Sequence, residues 1–127
     1  MDRSLSFYRD LLGMEVLLDT TMEGQMLDNE VALQDARVRV VELGDEGDPM
    51  VELLQYSSPE PEELHRDIRA CDVGAHHIAL IVEDIEASHE KLRGAGVEFT
   101  HPPQKVDAGY FDGHRTAYCF DPDRLIV

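Results

Sequence analysis

The sequence predicts an α+β fold made of two copies of one helix-and-strand unit. Three observations predict it. Residues 75–99 read as a strand, a helix and the start of a second strand, and residues 1–16 repeat that unit from the helix onward. Glycine closes both helices at matching places, Gly13 and Gly96, where a left-handed residue ends a helix without steric cost. Elsewhere, short alternating apolar runs are bounded by glycine and proline, the pattern of half-buried strands. An internal repeat fixes an architecture more firmly than any single motif does. A chain of 127 residues predicts one compact domain around a single core.

The elements follow in order. Leu5, Tyr8, Leu11 and Leu12 recur at helical spacing, and Asp2 or Ser4 is placed to cap that helix. Glu15–Thr21 reads as a strand, and the polar Met22–Glu30 as a turn or loop. In Arg37–Leu43, Val38 and Val40 alternate with Arg37 and Arg39, so one face is expected to be buried. Gly44–Asp48 is an acidic turn and Met50–Tyr56 the next strand. Residues 57–74, with Pro59, Pro61 and several acids, read as a solvated linker between module one (1–56) and module two (75–127). His77–Val82 is an apolar strand, and Asp84 caps the helix that carries Ile85 and Leu92. Val97–Thr100 and His114–Phe120 are strands around a loop marked by Pro102, Pro103, Gly109 and Gly113. Asp121-Pro122-Asp123 is a turn, and Leu125–Val127 opens a last strand.

The halves superpose residue by residue. Met1–Ser4 matches Ile85–Ser88 at an offset of 84, and Gly13–Val16 matches Gly96–Phe99 at an offset of 83. The first helix therefore holds one residue more than its copy. Each half is helix, strand, strand, strand, with a leading strand visible only in the second. Two such modules can pair their sheets edge to edge around a cleft.

The net charge is −16, and Lys91 and Lys105 are the only lysines. Such a surface repels nucleic-acid phosphates and anionic lipid, which excludes both as expected partners. An anionic substrate needs a local positive group or a metal against this background. Salt adaptation and a coding bias against lysine both account for the composition. The start, Met1-Asp2-Arg3-Ser4, lacks the basic and apolar regions of a signal peptide, so a soluble, cytoplasmic chain is expected. Cys71 and Cys119 form no spacing motif and read as free thiols.

A few residues stand out chemically. Glu52, within Met50–Tyr56, has apolar neighbours on both sides and shares its face with Met50 and Leu54. Burying an unpaired carboxylate is costly, so Glu52 is exposed, paired or bound to a metal. His76 and His77 face opposite ways if they lie in a strand, with His77 beside Ala79 and Ile81. His77 is either a half-buried, hydrogen-bonded histidine or a ligand. Glutamate and histidine together suit zinc, nickel, cobalt or manganese. His114 shares a face with Thr116, Tyr118 and Phe120, which is either a substrate-contacting face or ordinary core packing. His65 and His89 read as solvated, and His101 begins the proline-rich loop. No phosphate-binding glycine loop, nucleophile elbow or paired-cysteine motif is present.

Ser4–Met14, Val51–Leu54, His76–Ile85 and Asp121–Asp123 resemble, in that order, the vicinal oxygen chelate superfamily of glyoxalases, bleomycin-resistance proteins and extradiol dioxygenases. The resemblance spans nearly the whole chain and is closest to the glyoxalase I and methylmalonyl-CoA epimerase branches. It implies two βαβββ modules cupped around a divalent metal, and a homodimer. Glu52 matches the ligand at the end of module one, and His77 the ligand on the first strand of module two. Glutamate at position 52 is like glyoxalase I. His114, Thr116 and Tyr118 would face the substrate. The repeat places the other two ligands outside residues 1–127, one of them the family's catalytic glutamate, as though the first strand of module one and the end of the last strand were trimmed. The turn also departs from the family: Arg124 stands where glycine is common.

The resemblance implies a divalent-metal-dependent lyase or isomerase that moves a proton beside a carbonyl or thioester through an enediolate. Two alternatives remain: a metal-free protein that sequesters a small molecule, as in drug resistance, and an iron extradiol dioxygenase.

Overall fold

A computed structural model describes residues 1–62 and 69–127 of the protein. The chain is of the α+β class, with an antiparallel sheet and few helices. It forms two compact units, Met1–Arg66 and Asp67–Val127.

In the first unit, helix α1 (Asp2–Leu5) runs directly into a π-helical stretch, Ser6–Leu11. A π turn takes in one residue more than an α turn. The Leu12 N–H donates to the Phe7 carbonyl at 3.0 Å, five residues back. The extra residue in the first repeat is thus absorbed inside its helix, and Gly13 still closes it at φ 83°. The expected cap does not form: Asp2 is already helical, Ser4 lies within the helix, and the N-cap position falls on Met1. Leu5, Phe7 and Tyr8 are buried.

Strands β1 (Glu15–Glu23), β2 (Arg37–Asp45) and β3 (Asp48–Ser58) make an antiparallel sheet in the order β1-β2-β3. β2 is the central strand and is buried on both faces rather than one. Val38 and Val40 are covered on one side, and Val41 and Leu43 on the other. The expected loop at Met22–Glu30 is largely a helix, α2 (Gln25–Val31). Its Leu27 packs with Ala36, Val38 and Val40, and Val31, Met22 and Tyr56 close around them. Asp28 holds the exit from α2, accepting the Ala36 N–H at 2.7 Å.

In the second unit, α3 (Ile85–Gly94) starts as expected. The Asp84 carboxylate accepts the N–H groups of Glu86 and Ala87, each at 3.0 Å. Strands β4 (Gln104–Lys105) and β5 (Arg115–Thr116) form a short hairpin. The other expected strands are reduced to single pairings. Phe99 pairs antiparallel with Cys119, Phe120 antiparallel with Ile126, and His77 parallel with Ile126. The expected strand His77–Val82 therefore does not form beyond its first residue, and Ile81 is fully exposed. Buried Asp121 fixes the turn before Ile126 by accepting the N–H groups of Asp123 and Leu125 at 2.9 and 2.8 Å. No helix among the described residues is long and apolar enough to cross a membrane. His65 and part of the linker lie outside the described residues.

Candidate functional site

Glu52 sits in β3 at the sheet edge and is exposed. The β2–β3 register places it opposite Glu42, and the β1–β2 register places Glu42 opposite Leu18. One row across the sheet therefore carries Leu18, Glu42 and Glu52 on one face. The next row holds Val40 and Leu54. Leu18 is 41% exposed and Leu54 50%, so this end of the face is open, whereas the Val38 end is packed under α2. Like charges directly opposite each other are unfavourable in a sheet, which makes the Glu42–Glu52 pair an unusual feature. Glu42 carried no signal of its own in the sequence. Counting by twos from Val38 and Val40 reaches it, and only the register shows that it faces Glu52.

His77 occupies the single parallel pairing with Ile126, where the Ile78 N–H donates to the Ile126 carbonyl at 3.1 Å. The His77 and Tyr118 rings lie 6.1 Å apart between centroids, tilted by 53°. They line a recess of about 110 Å³ with Ala70, Ala75, His76 and Ile126. Both adjacent histidines line it, against the expectation that they face opposite ways, because no continuous strand enforces alternation there. Tyr118 is 45% exposed. Its neighbour Cys119 points the other way and is buried, and burial, with Asp121 adding to it, pushes the thiol up to about 11.

Of the three expected substrate residues, only Tyr118 joins His77. Thr116 is exposed in β5 opposite Gln104. His114 is exposed at the end of a turn, its Nδ1 3.2 Å from the Phe111 carbonyl oxygen. His89, expected to be solvated, is half-buried, with its ring edge-on against Phe99 at 4.5 Å. His101 keeps Nδ1 2.7 Å from the Pro102 carbonyl oxygen.

Two further residues shape the same face of the second unit. The guanidinium of Arg124 lies 4.1 Å over the Phe120 ring, and its Nη1 donates to Glu98 Oε2 at 2.6 Å. Arg124 has φ 70°, the left-handed region that favours glycine.

In kind, the donors fit a divalent ion. Glu52 offers a carboxylate and His77 an imidazole, and neither side chain has a hydrogen bond or ion pair among the described residues. In number they do not close a site. No group of three or more histidine, cysteine, aspartate or glutamate side chains among the described residues is arranged to hold a metal.

Comparison with known proteins places the chain. It is 27% identical over 128 residues to a 2-epi-5-epi-valiolone epimerase from an Actinomyces species, covering 96% of this chain and 68% of that protein. Its fold is similar to the crystal structure of a glyoxalase family protein from Bacillus cereus. The TM-score is 0.82, with 20% identity over 99% of this chain and 82% of the other. The family model for glyoxalases, bleomycin resistance proteins and dioxygenases matches residues 1–127. The chain belongs to the glyoxalase/bleomycin resistance protein/dioxygenase superfamily.

Proposed function

We propose that the protein is an isomerase of the epimerase type. It would invert a carbon beside the carbonyl of a small, soluble molecule by removing and returning a proton through an enediolate. The observation that carries this reading is the recess where His77 and Tyr118 converge. The likeness to an epimerase over nearly the whole chain supports it. A recess of about 110 Å³ is well below the ~300–1,000 Å³ of sites that enclose a whole ligand. It suits the reacting end of a substrate.

The phenol of Tyr118 is placed to donate a hydrogen bond to the substrate oxygen. That bond strengthens as negative charge gathers on the oxygen in the enediolate, so it lowers the barrier rather than merely binding the ground state. Ala70, Ala75 and Ile126 give the recess an apolar side against which the carbon skeleton of a substrate can rest. By the family resemblance, Glu52 in the first unit and His77 in the second each match a ligand position for a divalent ion, zinc, nickel, cobalt or manganese, which further donors would complete. Bound there, the ion would supply Lewis acidity at the carbonyl. A homodimer accords with the family resemblance.

The test uses purified protein, assayed for metal content and incubated in D2O with 2-epi-5-epi-valiolone. Loss of the proton beside the carbonyl, followed by proton NMR, is expected. Tyr118→Phe is expected to slow it about 10²–10³-fold, the usual cost of removing one oxyanion donor. Glu52→Ala and His77→Ala are expected to lose metal. Metal-loaded protein that exchanges no proton from this ketone or from small aldehydes and thioesters would overturn the reading in favour of a binding protein. Exchange unchanged in Tyr118→Phe would remove Tyr118 from the site.

A further inference from the structure

We infer that Arg124 is the anchor for an anionic group on the substrate, a phosphate or a carboxylate, and so sets the substrate class of the recess beside it. The inference rests on the reading above for where the carbonyl sits.

The geometry that supports it is local to the second unit. The Thr100 N–H donates to the Tyr118 carbonyl, and the Phe120 N–H to the Glu98 carbonyl, at 2.9 and 3.0 Å. Residues 118–120 are therefore extended against 98–100, and Tyr118 and Phe120 present their rings on one face, about 7 Å apart. Tyr118 meets His77 in the recess, and Phe120 carries the Arg124 guanidinium. A substrate with its carbonyl at Tyr118 would reach Arg124 with a group a few bonds away.

The arginine is built to receive such a group. One face of its guanidinium is held on Phe120, and one nitrogen is held by Glu98. The remaining N–H groups have no partner among the described residues, and the side chain is 62% exposed. A planar guanidinium fixed on a ring, with one edge open, matches the two oxygens of a carboxylate or phosphate. Of the other bases of this unit, Lys91 and Arg93 lie on α3 and Lys105 in β4, and two arginines are already paired. Arg115 is paired with Glu86 on α3, and Arg69 with Asp72. In a chain of net charge −16, an anionic substrate needs a local cation of this kind. The backbone also supports a special role. An arginine at φ 70° bears a steric cost that glycine would not, so the side chain offsets that cost through its contacts. Glu98 is the internal counter-ion that an incoming anion would displace.

The test is binding, read by NMR shift titration of unit-two amides, with dihydroxyacetone phosphate, levulinate and uncharged dihydroxyacetone. At least one charged probe is expected to bind about tenfold more tightly than dihydroxyacetone, as a charge-assisted hydrogen bond gives. Arg124→Gln should abolish that preference, and Arg124→Lys should keep part of it. Glu98→Gln should strengthen anion binding by removing the competing carboxylate. A preference for the phosphate alone or the carboxylate alone identifies the group. Equal binding of all three probes, no detectable binding of either anion, or a preference that survives Arg124→Gln would overturn the inference. So would Glu98→Gln weakening anion binding, the mark of a purely structural latch. Binding requires no turnover. Charge discrimination without proton exchange would sink the epimerase reading alone, and exchange without charge discrimination would sink this inference alone.

Discussion

Gly44 tests how closely β2 and β3 approach at their hairpin end, just past the rows that hold Glu42 and Glu52. It lies in the β2–β3 hairpin where the pairing shifts between Leu43 and Gly44. A Cβ built on Gly44 would sit 1.9 Å from the Asp48 carbonyl oxygen, 2.8 Å from its carbon and 3.0 Å from Leu17 Cδ1. Real Cβ atoms essentially never come within 3.0 Å of such neighbours, so Gly44→Ala must part the strands by about an ångström or more at this point. The obstacle is backbone, which cannot rotate away as a side chain does. Opening the hairpin end loses one or two ladder hydrogen bonds, about 1 kcal/mol each. Residual overpacking adds ~1–3 kcal/mol. Gly44→Ala is therefore expected to cost about 2–5 kcal/mol, a fall of roughly 8–20 °C in Tm for a chain of this size. Gly94→Ala is the control. It lies in α3 with nothing within 4 Å of the added Cβ, so the change should be neutral or stabilising by up to ~1 kcal/mol. Thermal and urea unfolding of both variants measure this. A Gly44→Ala protein within about 1 kcal/mol of the parent would refute the close approach of the two strands at the hairpin end.

Two other predictions follow from the charges and thiols. At pH 8 the exposed Cys71 should react readily with a thiol reagent, whereas Cys119, buried and pushed up to about 11, should react only after unfolding; two fast thiols in the native protein would contradict its burial. Because that pKa is raised in the folded state, the associated stability is present below the unfolded thiol's pKa and fades as pH rises towards 11. The Arg39 hydrogen bond holds the Asp19 carboxyl below its ordinary range. Arg39→Met should return Asp19 upward in a carbon-detected titration. The depressed pKa gives stability that is present above the unfolded value and lost as pH falls through the folded one, so the variant should acid-unfold at higher pH. An unchanged Asp19 titration would show that the ion pair is not formed in solution.

What the sequence made legible is what local chemistry decides. Asp84 before Ile85 specified a cap, and Gly13 and Gly96 specified two stops; the structure has all three. The offset of one residue between the halves was visible in the repeat, and its physical form is the π-helical stretch Ser6–Leu11. What stayed hidden depends on neighbours distant in sequence. Val41 and Leu43 are buried because β2 has a strand on each side and cover on each face, which alternation within Arg37–Leu43 cannot report. The helix α2 showed only one apolar pair a turn apart, Leu27 and Val31, within a polar stretch. Ile78–Val82 looked like a strand by composition, but strand structure requires a partner, and pairing among the described residues ends with His77 and Ile78 at Ile126. Of the candidate site, Glu52, His77 and Tyr118 were legible from residue type and face. Glu42 was not, since it needs the register; Arg124 stood out only as a departure in the turn, and its stack on Phe120 needs the structure.

Arg124 shows how a departure from a family pattern carries information. Glycine is common at this place in the resembling family, and φ 70° gives the reason: the turn held by Asp121 demands a left-handed residue before the last strand. Any other residue costs about 1–2 kcal/mol there. A stack on Phe120 returns ~0.5–1 kcal/mol, and the exposed pair with Glu98 ~0.2–1 kcal/mol. Together the two contacts return about 0.7–2 kcal/mol, roughly what the backbone costs, so stability alone gives arginine no marked advantage over glycine. A residue that the fold merely tolerates, held over the Phe120 ring with N–H groups to spare, is better explained by what it binds than by what it stabilises.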